Sequence, residues 1–175
     1  KIAKAETAVI EKLLPHLDSG KAAITLALTD EEKIVAGEFF LLTSKPTLFA
    51  CNLAEPDLPA LVAGVADPGQ RAQKNVRAVE DYARNHFATE AVVISAQIES
   101  ELVDLSEAEA AEYLRDLGVK GSGVGALIRA VYHLLGLRTY LTTGEKETRA
   151  WTIHEGDKAP AAAGVIHSDF ERGFI

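Results

Sequence analysis

Two short stretches carry residue types suited to holding a flat, polar ligand. Cys51-Asn52-Leu53-Ala54-Glu55 closes the apolar run Thr47-Leu48-Phe49-Ala50-Cys51, and Ser95-Ala96-Gln97 closes Ala91-Val92-Val93-Ile94-Ser95. Neither run alternates with polar residues, which suits strands buried on both faces of a parallel sheet. In an open α/β sheet, ligands collect at the carboxyl ends of the strands. An asparagine amide both donates and accepts, so Asn52 can read a purine edge at N7 and its exocyclic group, or pin neighbouring loops. Backbone groups of Ser95, Ala96 and Gln97 would complete such a pocket.

The spacing matches the place where P-loop GTPases keep their Asn-Lys-x-Asp and Ser-Ala-x base-recognition motifs. In the guanine-reading motif, lysine packs its stem over the base and aspartate accepts from guanine N1 and N2. Leu53 stands at the lysine position and Glu55 at the aspartate position. Leu53 keeps the apolar packing and drops the charge. Glu55 is one methylene longer, which disturbs a bidentate fit to guanine. Adenine has no 2-amino donor and its N1 is an acceptor, so a carboxylate gains little from it. The expectation is weakened guanine selection and acceptance of adenine.

Several elements must position these residues. Residues 1–17 form a predicted helix, with Ile2, Ala5, Val9, Leu13 and Leu17 on one face. Pro15 and the turn Asp18-Ser19-Gly20 close it. Thr29 and Glu32 match a capping box that starts a helix running to Leu42. Lys45-Pro46 breaks that helix. The Pro- and Gly-rich stretch 56–69 reads as a loop or insertion, and a helix is expected over 70–87. A strand–helix–strand order predicts a right-handed crossover and a parallel pair. Ser106 and Glu109 form a second capping box, opening a helix to Leu117, and another helix spans 124–135 and ends at Gly136. Residues 138–143 and 148–153 alternate like the two strands of a hairpin around Gly144-Glu145-Lys146-Glu147. An Ala-rich helix follows over 159–166.

The bulk composition agrees with a folded soluble chain. Of 175 residues, 47% are hydrophobic and 25% charged, ordinary for a globular protein rather than a disordered one. The net charge of −8 argues against a strongly basic surface wrapped on nucleic acid. Cys51 is the one cysteine, so no internal disulfide forms, which fits a reducing, cytoplasmic setting. The apolar runs are too short to span a bilayer. The chain has no methionine and opens in helical rhythm, so both ends read as cut.

Five segments resemble the YchF / Obg-like ATPase family: Lys45-Pro46-Thr47-Leu48-Phe49-Ala50-Cys51-Asn52-Leu53-Ala54-Glu55; Val93-Ile94-Ser95-Ala96-Gln97-Ile98-Glu99-Ser100-Glu101-Leu102; Leu134-Leu135-Gly136-Leu137-Arg138-Thr139-Tyr140; Arg149-Ala150-Trp151-Thr152-Ile153; and Ala162-Ala163-Gly164-Val165-Ile166-His167-Ser168-Asp169-Phe170-Glu171-Arg172-Gly173-Phe174-Ile175. The resemblance covers nearly the whole chain and fits least well over 55–73. It implies an α/β fold: the C-terminal part of a P-loop NTPase G domain with its parallel sheet, an inserted helical coiled-coil segment, and the start of a β-grasp TGS domain. The implied layout is 1–38 for the end of the helical insertion, 39–136 for the G-domain part and 137–175 for the TGS part.

The resemblance further implies an ATP hydrolase that prefers ATP over GTP, uses Mg²⁺ and associates with ribosomes. RNA is a further expected contact through the TGS part, and a monomer is expected. Asn52, Leu53, Glu55, Ser95, Ala96 and Gln97 are the expected base-binding residues. No Gly-x-x-x-x-Gly-Lys-Ser/Thr sequence occurs in the 175 residues. Catalytic residues, the Mg²⁺ ligands and the phosphate-binding groups are therefore expected outside this chain, which alone should not hydrolyse nucleotide.

Other residues favour plainer readings. Gly121-Ser122-Gly123-Val124-Gly125 follows a helix rather than a strand, so it reads as a helix linker and not a phosphate loop. Cys51 reads as a small buried apolar residue and Trp151 as hairpin core. His16, His86 and His133 have no ligand-spaced partners. His167-Ser168-Asp169 is contiguous, the wrong geometry for a catalytic triad. Two rival functions remain at this stage. One is a TGS and helical binding module that contacts ribosome or protein without catalysis. The other is a GTP-specific Obg-type GTPase, against which Leu53 and Glu55 speak.

Overall fold

A computed structural model describes residues 2–62, 71–119 and 121–175. The fold is α/β, and the chain divides into two units: Lys1–Cys51 with Pro68–Ala91, and Asn52–Asp67 with Val92–Ile175.

The first unit is built on two helices, α1 (Ile2–Asp18) and α2 (Asp30–Gly37). Pro15 lies inside α1 without breaking it. It removes one backbone donor, and the helix runs on to Asp18, before the turn at Gly20, where φ is +77°. Val9 and Leu13 of α1 pack with Ala23 and Ala36, flanked by Leu17, Leu26, Leu28, Val35, Phe39 and Leu41. Burying side chains the size of Val9 or Leu13 contributes roughly 1.5–3 kcal/mol each. The Lys12 ammonium meets Glu32 at 2.6 Å. Thr29 caps α2 by the expected capping box. The helix stops at Gly37 rather than Leu42. Gly37 weakens it, and Phe40 then takes a positive φ of 49° that no helix can continue; a 3₁₀ turn, Leu42–Ser44, follows.

Strand β1 (Phe49–Asn52) and strand β2 (Ala91–Ile94) are neighbours in a two-stranded sheet. Helix α3 (Leu58–Val62) and helix α4 (Arg71–Phe87) lie between them in sequence. Phe49 stacks edge-on against Tyr82 and Phe87 of α4, at centroid distances of 5.9 and 5.2 Å. The expectation of a strand buried on both faces fails for β1. Phe49 and Cys51 are half-buried while Ala50 and Asn52 are exposed, because the Phe49 side is the one packed on α4. All four residues of β2 are half-buried. The expected loop over 56–69 is also corrected where it is described. Glu55–Asp57 is a 3₁₀ turn that runs into α3, since Pro56 and Pro59 fall in first-turn positions where no amide donor is required. Residues 63–69 of that expectation, and Gln70 of the helix expected over 70–87, lie outside the described residues.

The second unit continues through α5 (Ala96–Leu102), α6 (Glu107–Asp116) and α7 (Gly123–Leu134). Ser106 and Glu109 form the expected capping box of α6. Gly136, at φ +62°, ends α7 and leads into the hairpin. Strands β3 (Leu137–Thr143) and β4 (Thr148–His154) pair antiparallel from Leu137 opposite His154 to Thr143 opposite Thr148. Tyr140 donates its hydroxyl to the Ala162 carbonyl at 2.8 Å, which fastens α8 (Ala159–Gly164) to the hairpin. Helix α9 (Ser168–Arg172) follows and packs on α8. Trp151 is half-buried rather than core: its indole donates to Thr142 at 2.8 Å and the Arg149 guanidinium lies 4.4 Å from its ring centroid. That charge holds the ring near water while covering one face.

Candidate functional site

The six residues singled out in the sequence lie in the second unit and meet around one strand end. The Leu53 amide donates to the Ile94 carbonyl at 2.9 Å, which carries the chain pairing one residue beyond β1. Asn52 and Ser95 are thereby brought to the same end. Asn52 Oδ1 accepts the Ala96 amide proton at 2.9 Å. Asn52, Ala96 and Gln97 are exposed, and Leu53 and Glu55 are half-buried. Asn52 is an exposed residue, and among the described residues its Nδ2 has no hydrogen-bond acceptor.

Glu55 opens the 3₁₀ turn after β1 and meets Gln97 Nε2 at 3.4 Å. The same Gln97 nitrogen reaches Glu101 Oε1 at 3.4 Å. Glu101 in turn accepts the Tyr113 hydroxyl at 2.5 Å. That bond, together with burial and the charges of Glu101 and Glu55, pushes the Tyr113 phenol up to about 12 from 10.0. Because the folded value is raised, the associated stability is fully present below pH 10.0 and is lost as pH climbs towards about 12. An absorbance titration of tyrosinate is expected to show one phenol ionising near pH 12, and the difference between wild type and Tyr113→Phe should contain that late step. A difference spectrum with its step at ordinary tyrosine pH would show that the Glu101 contact is not made in solution.

Ser95 is only 3% exposed, and its hydroxyl makes no hydrogen bond to the described residues. It borders a cavity of about 390 Å³ whose walls include Leu58, Ile98, Leu114 and Ala126. A buried hydroxyl without a partner is unfavourable by about 1–3 kcal/mol. Ser95→Ala should therefore leave thermal stability unchanged or raise it, and leave ligand affinity within about twofold, because the backbone and not the hydroxyl faces Asn52. Melting temperature and a binding titration check this; a clear drop in either would show that the hydroxyl is in use.

Sequence reasoning missed the residue that fastens this loop to its neighbour. Glu99 Oε1 accepts the Gly123 amide proton at 2.6 Å, and Glu99 Oε2 accepts the Ser122 hydroxyl at 2.7 Å. Ser122 caps α7 by accepting from the Gly125 amide at 3.2 Å. The Gly121–Gly125 stretch is thus a helix start whose donors are answered by a protein carboxylate, which supports its reading as a linker rather than a phosphate loop. The signal was faint: Glu99 and Gly123 are distant in sequence, and only Ser122 before a helix hints at a cap.

Other chemistry-bearing side chains have structural surroundings. His16 Nε2 lies 3.0 Å from the Ala22 carbonyl and 2.9 Å from Thr25 Oγ1. His167 Nδ1 accepts the Asp169 amide proton as the cap of α9. Burial, then the Glu80 charge, raises the Cys51 thiol above its ordinary value, the opposite of what a nucleophile needs. Among the described residues no cluster of three or more His, Cys, Asp or Glu side chains is arranged to hold a metal. No described helix is long and apolar enough to cross a membrane.

Residues 137–175 match the family YchF-GTPase_C, described as "Protein of unknown function (DUF933)". The chain is 44% identical over 170 residues to the "Ribosome-binding ATPase YchF" of Bacillus subtilis, covering 97% of this chain and 44% of that protein. It is 33% identical over 176 residues to "Obg-like ATPase 1" of Schizosaccharomyces pombe, covering 100% of this chain and 42% of that protein. Its fold superimposes on the solved Schizosaccharomyces pombe YchF GTPase with a TM-score of 0.78 at 30% identity, over 98% of this chain and 43% of that one. The chain therefore spans less than half the length of the relatives it matches.

Proposed function

Because this chain belongs to the YchF / Obg-like ATPase family over the span it covers, we propose that residues 52–55 and 95–97 form the base-reading half of an ATP site in a ribosome-associated hydrolase. The observation that carries this reading is the 2.9 Å bond from the Ala96 amide to Asn52 Oδ1. It joins two strand ends into one polar edge and, on an exposed residue, leaves Asn52 Nδ2 without an acceptor among the described residues. A purine N7 can accept from that nitrogen, and the second lone pair of Oδ1 can accept from an exocyclic amino group. Adenine carries an amino group there and guanine a carbonyl. A guanine carbonyl would compete with Asn52 for the Ala96 donor, whereas adenine would not. Leu53 supplies an apolar surface for the ring in place of a lysine stem. Glu55, held by Gln97, stands where a guanine reader places aspartate.

The layout proposed with it assigns 1–38 to the end of a helical insertion, 39–136 to the C-terminal part of a G domain with a parallel sheet, and 137–175 to the start of a TGS domain. The match of residues 137–175 to the YchF-GTPase_C family supports a boundary there. The 175 residues hold no Gly-x-x-x-x-Gly-Lys-Ser/Thr sequence, and the described residues no metal-binding cluster. Mg²⁺ and the phosphates would therefore be held by other parts of the full-length protein. This chain contributes selection and orientation of the base, and by itself does not hydrolyse nucleotide. Ribosome association is proposed from the name of the Bacillus subtilis relative; RNA contact through residues 137–175, work in the cytoplasm and a monomeric state are proposed with it from the family resemblance.

The test is a calorimetric titration of the full-length protein with ATP and GTP side by side. ATP binding at least as tightly as GTP supports the reading. A clear preference for GTP, or no nucleotide binding, overturns it.

A further inference from the structure

We propose that Glu99 is a positioning residue for this base site, acting by clamping the loop that carries Ala96 and Gln97 onto the start of α7. The inference rests on the base-site reading above and adds to it a residue that touches neither base nor phosphate.

Glu99 lies one helical turn after Ser95, and its own amide donates to the Ser95 carbonyl at 3.0 Å. Its two carboxylate oxygens are both engaged, by the Gly123 amide at 2.6 Å and the Ser122 hydroxyl at 2.7 Å. The first amides of a helix lack intrahelical partners and carry partial positive charge, so a carboxylate there is doubly favoured. The approach is close. A Cβ added at Gly123 would stand 3.0 Å from Ile94 Cα and 3.2 Å from Glu99 Oε1. Glycine is thus the residue that lets α7 sit against the end of β2. The clamp fixes the first turn of α5, and that turn presents the Ala96 amide to Asn52. Buried Ile98, 2% exposed, anchors the same turn from the apolar side. Without the carboxylate, the turn loses its tie to α7, and the bond from the Ala96 amide to Asn52 must hold its aim with only Ile98 packed behind it.

The experiment compares ATP and inorganic tripolyphosphate binding to the full-length protein with wild-type, Glu99→Ala, Glu99→Gln and Asn52→Ala sequences. Tripolyphosphate reports the phosphate half of the site, which a loss of folding would also damage. Glu99→Ala is expected to weaken ATP about tenfold while tripolyphosphate stays within about twofold. Glu99→Gln should retain ATP affinity within about threefold, because its carbonyl still accepts from Gly123 and its amide can donate to the Ser122 oxygen. Equal loss of ATP and tripolyphosphate in Glu99→Ala, or no loss of either, overturns the inference. If Asn52→Ala leaves ATP binding intact, the base-site reading itself falls; if Asn52→Ala weakens ATP and Glu99→Ala does not, only the clamp falls.

Discussion

Asn52→Ala in the full-length protein is expected to weaken ATP and GTP together, by about 10- to 100-fold each. Two contributions combine. The substitution removes the Nδ2 donor proposed to meet purine N7, a group common to both bases. It also removes the Oδ1 that accepts the Ala96 amide at 2.9 Å, freeing the loop after β2 from the end of β1. A single hydrogen bond is worth about 0.5–1.5 kcal/mol net, and more when its loss strands a partner. Ala96 is exposed, so water answers the freed amide and the cost to folding stays small. Calorimetric titration with each nucleotide, beside a melting curve, separates the two consequences. A variant that melts normally and binds both nucleotides as the wild type does would remove Asn52 from the site.

Leu53→Lys combined with Glu55→Asp is expected to move the ATP-to-GTP affinity ratio towards GTP by about tenfold or more, since hydrogen bonds to charged groups are worth about 1.5–3 kcal/mol. The argument is one of donor and acceptor matching. Guanine offers N1 and N2 protons to an aspartate at the right distance, and adenine offers neither. The present Glu55 is longer and its carboxylate meets Gln97 at 3.4 Å; an aspartate is too short to keep that partner and is released towards the base. The lysine stem replaces Leu53 as the packing surface. Parallel titrations of the double variant read the ratio directly. Equal loss of both nucleotides with an unchanged ratio would show that these two positions do not select the base.

Local patterns were legible where the chemistry is local. Thr29 with Glu32 and Ser106 with Glu109 form their capping boxes as written in the sequence, because both halves of each box lie within one turn. The hairpin register follows from a short polar turn between alternating runs. The adjacency of Asn52 and Ser95 was legible from two apolar runs each ending in a polar step. Helix α5 has no side-chain cap, because Ser95 makes none, so no capping box marks its start as one does for α2 and α6. Helix α9 was missed because a histidine caps it, an uncommon choice. Helix α3 hid behind Pro56 and Pro59, which read as breakers but serve at helix starts. The Glu99 clamp depends on two residues far apart in the chain meeting in space, and no single-sequence spacing rule encodes that.

A structure of the full-length protein with a non-hydrolysable ATP analogue tests the central claim most directly. The account predicts adenine N7 at about 3 Å from Asn52 Nδ2, with the ring lying on Leu53 and its amino group beside Asn52 Oδ1. An adenine seated away from the ends of β1 and β2, with Asn52 and Ala96 still bonded only to each other, would contradict it.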